Sequence, residues 1–231
     1  MLELDIIIKK RNMSYLINKI IKEEFEGFLE EEYPQSFDME TFKSLTSFQQ
    51  RIKYCEEHLQ RMASGSARIV FNIDNEKVLK LAKNKKGIAQ NEAEINSSDD
   101  YLIDDILADV FDYDEENYLW LEMEYCKKLS KGRFKQITGL DFKIYTQILD
   151  YIFYVEVNPQ LGMKHYITND PGVEHYVENN EFAEKMVDYL RNYQPPHGDL
   201  KRISSYGENK DGDVVIIDYG LNDYVSKTYY S

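Results

Sequence analysis

Apolar residues in the first quarter of the chain recur at helical spacing. Between residues 14 and 32 they fall every three or four positions, and Ser14 stands where it can cap the first turn. The same spacing returns over about 38–61, with Asp38 as the candidate cap. The two segments predict amphipathic helices, so residues 1–61 are expected to form a helical N-terminal extension.

A turn of small residues at 64–66 marks a change to strand-like spacing. Short apolar segments follow at 67–73 and 77–82, and the Asp74-Asn75 pair between them is typical of a turn. These two segments predict the strands of a β-hairpin. A helix is then predicted over about 87–95.

The rest of the chain predicts one more hairpin followed mainly by helices. The expected strands are about 107–113 and 118–125, and the expected helices are about 139–154 and 180–193. A loop-rich segment with prolines and glycines, 158–179, separates the helices. A turn that contains Asp199 and the strand "DVVIID" complete the predicted elements.

The order of these elements predicts an α+β protein. Helices come first, two hairpins with a helix between them follow, and further helices precede the final strand. We expect a small antiparallel sheet lobe beside a helical lobe, with room for a ligand between them. The expected divisions of the chain are 1–61 for the helical extension, 62–126 for the sheet lobe and 127–231 for the helical lobe.

The composition is that of a folded protein without a membrane span. Aromatic residues make up 13% of the chain, more than a disordered sequence carries. No apolar run approaches the ~20 residues that a membrane helix needs, and the first residues lack the pattern of a secretory leader. The two cysteines, Cys55 and Cys126, do not make a disulfide framework, so a reduced, cytoplasmic protein is expected.

The net charge of −14 limits the classes of partner. Direct binding to nucleic acid or to an anionic membrane is disfavoured, because both need a basic patch. An acidic surface can instead dock on a basic partner, so an acidic binding or inhibitor protein is one alternative. The four histidines and two cysteines show no paired metal-ligand spacing, and a zinc site is not expected.

Lys80 is a charged residue within an apolar strand, "VLKLA". Alternation places it on the opposite strand face from Leu79 and Leu81. If that face points inward, the ammonium group must be paired; on an edge strand it would face solvent. Glu94 on the following helix is the natural partner, whereas Glu92 would point about 200° away from it.

Two aspartates flank the last apolar segment. Asp199 follows His-Gly in a turn, and Asp218 ends the final strand just before Tyr-Gly. Each is also typical of an ordinary turn cap, but a carboxylate at the end of a buried strand often faces a cleft. The turn at 65–67 adds backbone N–H groups that can hold phosphate oxygens, although a plain hairpin turn has the same composition.

Taken in order, these residues resemble the protein-kinase-like superfamily. The resemblance is strongest to its small bacterial and phage members and to the His-Gly-Asp small-molecule kinases, such as aminoglycoside and choline phosphotransferases. "SGSARIVF" is similar to the phosphate-covering loop, Lys80 to the strand lysine and Glu94 to its helix partner. "HGD" at 197–199 is similar to the catalytic loop, and "DYG" at 218–220 to the metal-binding motif. The resemblance covers about 62–221.

The resemblance implies a nucleotide site and assigns residues to it. Gly65, Ser66 and Ala67 would cover the phosphates of ATP together with Lys80. "LEMEYC" is similar to the strand and hinge that hold an adenine, which places Glu124 and Cys126 at the base through their backbone groups. Asp218 would bind Mg²⁺, with Ser204 as a second ligand where the family has an asparagine.

The implied chemistry is ATP-dependent phosphoryl transfer to a hydroxyl of a protein or a small molecule. Lys80, oriented by Glu94, would hold the α- and β-phosphates, and Asp199 would accept or orient the acceptor hydroxyl. Little sequence follows Leu221, so a reduced helical lobe is expected. The serine at 204 and the reduced lobe favour, as an alternative, a pseudokinase that acts by engaging a partner protein. Adenylyl transfer would use the same residues.

Overall fold

The computed structural model describes residues 33–98, 100, 103–161 and 170–229. The helix predicted at 14–32 lies outside this range. No helix within it is both long enough and apolar enough to cross a membrane.

Two short helices precede the sheet, α1 (Met39–Ser44) and α2 (Phe48–His58). The sequence predicted one helix over about 38–61, and this was wrong. Ser47 begins a new helix, because its side chain accepts the N–H of Gln50 while the Gln50 side chain accepts the N–H of Ser47. The predicted cap is present, since the Asp38 side chain accepts the N–H of Thr41.

A five-stranded antiparallel sheet follows, with strand order β1-β2-β3-β5-β4. Its strands are β1 (Gln60–Ser64), β2 (Arg68–Asn72), β3 (Lys77–Ala82), β4 (Val110–Tyr113) and β5 (Trp120–Glu124). Both predicted hairpins are confirmed, as β2–β3 and β4–β5. β1 was not predicted, because all five of its residues are exposed and give no alternation. It starts at Gln60, where the sequence had suggested helix.

Helix α3 (Lys85–Ser98) crosses the sheet beside β3 and contains the predicted helix at 87–95. Its first turn lies close to the turn between β1 and β2. A Cβ atom added to Gly87 would lie 2.3 Å from the carbonyl oxygen of Ala67, so only glycine allows this approach. The side chains of Asn91 and Glu94 lie on the buried face of the helix.

The helical lobe contains α4 (Lys131–Thr138), α5 (Phe142–Tyr151), α6 (Val173–Asn179), α7 (Glu181–Tyr193) and α8 (His197–Leu200). The last helix, α9 (Asp223–Tyr229), packs against α3 of the sheet lobe. A π-helical segment, Ile152–Val157, extends α5, and short 3-10 turns occur at Asp104–Ile106, Pro159–Leu161 and Ile203–Ser205. A three-stranded sheet joins β6 (Lys127–Lys128), β7 (Tyr206–Glu208) and β8 (Val214–Ile216) in that order. The predicted helices at 139–154 and 180–193 are α5 and α7. Helix α4 was not predicted, and the predicted loop at 158–179 contains α6.

Among the described residues, two large apolar cores and a small cluster of Ala89, Ala93 and Val225 hold these layers together. One lies in the helical lobe around Phe134, Tyr145 and Tyr206, and the two tyrosine hydroxyl oxygens are 2.7 Å apart. The other joins α1 and α2 to one face of the sheet. Leu79 and Leu81 of β3 point into this second core, so alternation turns Lys80 toward the opposite face. The opposite face of the sheet is directed toward α3 and the helical lobe.

Candidate active site

A cleft of about 800 Å³ lies between the sheet and the helical lobe. The predicted site residues that line it are Gly65, Ser66, Ala67, Lys80, Glu124, Cys126, Asp199, Ser204 and Asp218. Glu94 does not line the cleft, because it is fully buried behind Lys80. The fold thus brings residues that are far apart in the sequence to one cavity.

Lys80 and Glu94 form a buried ion pair. The Lys80 Nζ lies 3.0 Å and 2.9 Å from the two carboxylate oxygens of Glu94 and also donates to the carbonyl oxygen of Ile217 at 2.7 Å. Burial lowers the pKa of Lys80, and the adjacent carboxylate partly offsets this. Glu94, the predicted partner of Lys80, is therefore also the observed partner.

Arg68 is a charged residue of this site that the sequence did not single out. It opens β2, and its guanidinium group donates to both carboxylate oxygens of Glu94 at 2.6 Å and 3.0 Å. The same group donates to Asp218 Oδ1 at 2.7 Å, and only 8% of the residue is exposed. Alternation along β2 was the available signal, since it puts Arg68 on the same sheet face as Val70, which pairs with Lys80.

Glu94 accepts hydrogen bonds from four residues in three chain segments. Besides Arg68 and Lys80, the backbone N–H groups of Tyr219 and Gly220 donate to its Oε1 at 3.2 Å and 3.1 Å. Burial by itself would raise the pKa of Glu94, but Arg68 and Lys80 outweigh it and lower the value to about 2. The carboxylate is therefore ionised at neutral pH.

The segment Asp218–Gly220 is held by α3 on one side and by Ala108 on the other. The Tyr219 hydroxyl donates to the carbonyl oxygen of Ala108 at 2.9 Å, and the peptide N–H groups reach Glu94. A Cβ atom at Gly220 would lie 2.5 Å from the carbonyl oxygen of Gln90 in α3. Glycine is therefore needed here for close packing.

We expect Gly220→Ala to lower the free energy of unfolding by about 2 kcal/mol, because backbone atoms must move to admit the methyl group. Urea denaturation measures the change. Gly198→Ala is the matched control, since a Cβ atom there would meet nothing within 4 Å, and its effect should stay within about 0.5 kcal/mol. Equal losses in the two variants would contradict the packing argument.

The carbonyl oxygens of the turn that leads into β2 accept internal hydrogen bonds. The Gly65 oxygen accepts from the Lys83 side chain at 2.9 Å, the Ser66 oxygen from Asn84 at 3.0 Å and the Ala67 oxygen from the Lys83 N–H at 2.8 Å. In a trans peptide the N–H points opposite to the carbonyl group. The N–H groups of Ser66 and Ala67 are therefore the ones that the turn can offer to an anion.

The end of β5 and the segment after it form the back of the cleft. The backbone N–H of Glu124 donates to Asp109 at 2.8 Å, and its carboxylate accepts the N–H of Lys210 at 3.3 Å. Burial, together with the negative charge of Glu124, raises the pKa of the Cys126 thiol to about 12. The sulfur is therefore protonated at neutral pH.

Asp199 lies in the short helix α8. Its Oδ1 forms an ion pair with Arg202 Nη1 at 3.1 Å, and its carbonyl oxygen accepts from the Ser205 hydroxyl at 2.7 Å. Ser205 is buried and fixes this loop, whereas Ser204 is exposed and lines the cleft. The two adjacent serines thus have different surroundings.

The residues that the resemblance assigns to Mg²⁺ do not fit a divalent cation as they are arranged. Mg²⁺ in nucleotide sites is held through one or two carboxylates. The carboxylate of Asp218, the anionic group assigned to the metal, has the Arg68 guanidinium at 2.7 Å. Ser204 adds only a neutral hydroxyl group. The anionic ligand therefore already has a cationic partner.

The observed fold is the expected two-lobed α+β arrangement: an antiparallel sheet with a helix across it, a helical lobe and a cleft between them. No protein-family model and no curated protein matches the sequence.

Solved structures of aminoglycoside phosphotransferases are similar to this chain at low identity. The GDP complex of wild-type aminoglycoside 2'-phosphotransferase-IIIa is 12% identical, with a TM-score of 0.35 over 71% of this chain and 67% of that one. The GDP and kanamycin complex of APH(2")-IIia is 13% identical, with a TM-score of 0.37 over 80% and 71%. The streptomycin–ATP ternary complex of APH(2")-IIa is 14% identical, with a TM-score of 0.31 over 70% and 65%. The last alignment spans less than two thirds of the matched chain.

Proposed function

We propose that the chain is a kinase-like phosphotransferase that binds ATP in the cleft and transfers its γ-phosphoryl group to a hydroxyl of a protein or a small molecule. The observation that supports this most is the convergence of the turn at 65–67, Lys80, Asp199 and Asp218 on one cavity of about 800 Å³. That volume lies within the range of small-molecule and cofactor sites.

The proposal places the nucleotide along the cleft. Backbone groups of Glu124 and Cys126 would hold the base, and the N–H groups of Ser66 and Ala67 would hold phosphate oxygens. Lys80 would neutralise the α- and β-phosphates, and Glu94 would keep its ammonium group in place. Each group faces the cavity or directly supports one that does.

Transfer would then depend on positioning and charge. In the proposed step the acceptor oxygen attacks the γ-phosphorus while the bond to the β–γ bridging oxygen breaks. Asp199 would accept the proton of the acceptor hydroxyl, and ADP would leave. Lys80 and Arg68 would supply positive charge beside the phosphates.

We expect ATP at millimolar concentration to raise the melting temperature, because a ligand that binds only the native state stabilises it by mass action. A differential scanning measurement with ATP, ADP and GTP tests this. Incubation with γ-labelled ATP should then label an acceptor or release labelled phosphate, whereas α-labelled ATP should not label the acceptor. Label from the α position would indicate adenylyl transfer. Failure of every nucleotide to stabilise the protein would contradict the proposed function.

A pseudokinase is the second candidate, and the contacts of Lys80 favour it. Its Nζ already donates to Glu94 and to the carbonyl oxygen of Ile217. A phosphate would have to compete with the Ile217 carbonyl oxygen for this ammonium group. In that case nucleotide would stabilise the protein without any transfer of label, and the acidic chain would act by engaging a partner. The two labelled-ATP experiments separate the candidates.

A further inference from the structure

Four charged side chains meet at the end of the cleft where the phosphates are proposed to lie. Arg68 contacts both Glu94 and Asp218, and Lys80 contacts Glu94. Two cations and two carboxylates therefore neutralise each other without any further ion. Arg68 also lines the cleft and follows directly after the turn at 65–67.

Arg68 supplies the charge that the other three groups lack. Lys80, Glu94 and Asp218 alone would carry one net negative charge, and a divalent cation beside Asp218 would neutralise it and attract phosphates. The guanidinium group occupies that place at 2.7 Å from Asp218 Oδ1. A cation added to the same carboxylate would lie next to this positive charge and be repelled by it.

The position of Arg68 is fixed by its surroundings. Its hydrogen bonds to Glu94 and Asp218 and its burial hold the guanidinium group in one orientation. Arginine stays protonated at all accessible pH values and matches the geometry of phosphate oxygens. These properties suit a permanent cation beside a phosphate chain.

We propose that Arg68 takes the place of a divalent cation beside Asp218, so that the cleft binds nucleotide phosphates without a metal. The inference rests on the proposed binding of ATP. In the alternative arrangement, Asp218 would bind Mg²⁺ and the metal ion would contact the phosphates.

Isothermal titration with ATP tests the inference, in EDTA and separately in excess MgCl₂. Kd values within about threefold of each other are expected. Binding that is about tenfold or more tighter with MgCl₂ would overturn the metal-free site and leave the proposed ATP binding intact. No binding under either condition would overturn both.

Arg68→Gln is expected to weaken ATP binding in EDTA by about tenfold or more, and MgCl₂ should restore part of it, because Asp218 then lacks a cationic partner. Arg133→Gln is the matched control. Arg133 pairs with both carboxylate oxygens of Glu208 but does not line the cleft, so its loss should not change ATP binding. Unchanged binding in Arg68→Gln would overturn the proposal.

Asp218→Asn provides a decisive test if Arg68→Gln does not fold, because the Asp218 side chain is 57% exposed and its replacement spares the core. We expect metal-free ATP affinity to rise about threefold or more, since a negative charge near the phosphates is removed and Arg68 is released from it. A metal-ligand role predicts the opposite, a loss of affinity confined to MgCl₂. That loss would overturn the proposal.

Discussion

Glu94→Gln is expected to lower the free energy of unfolding by about 3–5 kcal/mol, because it leaves two buried cations without their shared carboxylate. Arg68 and Lys80 both contact this side chain, and both are nearly fully buried. An amide can accept a hydrogen bond from one of them but cannot neutralise either. The amide would also weaken the bonds that the backbone of 219–220 donates to Glu94.

Urea denaturation of three variants distinguishes this effect from a loss of stability that any substitution in α3 would cause. Glu92→Gln makes the same chemical change two residues away at a partly exposed position and should alter stability by no more than about 0.5 kcal/mol. Lys80→Met should cost less than Glu94→Gln, since Arg68 still neutralises the carboxylate. Equal destabilisation by Glu94→Gln and Lys80→Met would show that Arg68 does not share the charge.

Asp199→Asn is expected to lower the rate of γ-phosphoryl transfer by about 10²–10⁴-fold, the usual contribution of a general base. The amide keeps the size of the side chain but cannot take a proton from the acceptor hydroxyl. ATP-induced stabilisation should be retained, because Asp199 is assigned to the acceptor and not to the nucleotide. The rate of label transfer from γ-labelled ATP and the melting temperature measure the two effects.

Asp211→Asn is the control for Asp199→Asn. Asp211 is an exposed aspartate in the turn between β7 and β8 and does not line the cleft, so its loss should leave transfer unchanged. Transfer at the original rate in Asp199→Asn would contradict its role toward the acceptor. Loss of ATP-induced stabilisation would show instead that Asp199 contributes to nucleotide binding.

Local periodicity was sufficient to predict the pairing of Lys80 with Glu94. Strand alternation fixed which face Lys80 occupies, and helix geometry separated Glu94 from Glu92. Both arguments use residues within one strand and one helix, where repeats of two and 3.6 residues apply. The two hairpins followed from the same kind of signal and are confirmed.

The sequence did not predict Arg68, because its role depends on a distant contact. The residue opens a short strand, where an arginine is ordinarily solvated. Its partner Asp218 is 150 positions away, and nothing local indicates that the two meet. The prediction that Asp218 binds Mg²⁺ did not include this contact, which places the positive charge of Arg68 beside the Asp218 carboxylate.

The short elements were missed or merged for different physical reasons. β1 is exposed along its whole length and is defined by pairing with β2. The break between α1 and α2 depends on reciprocal hydrogen bonds of Ser47 and Gln50, which interrupt an apolar spacing that continues through it. Pairing and capping of this kind override periodicity.

The helices α1 and α2 make the sheet the middle of three layers. Phe71, Leu79 and Leu81 are shielded from water by these helices on one face, while the opposite face meets α3 and the cleft. A chain that started at β1 would expose this apolar face to water, and exposed apolar patches promote aggregation. The segment 33–59 is therefore expected to fold together with the sheet as one unit, and a shortened version that begins at residue 60 should aggregate before its cleft can be assayed.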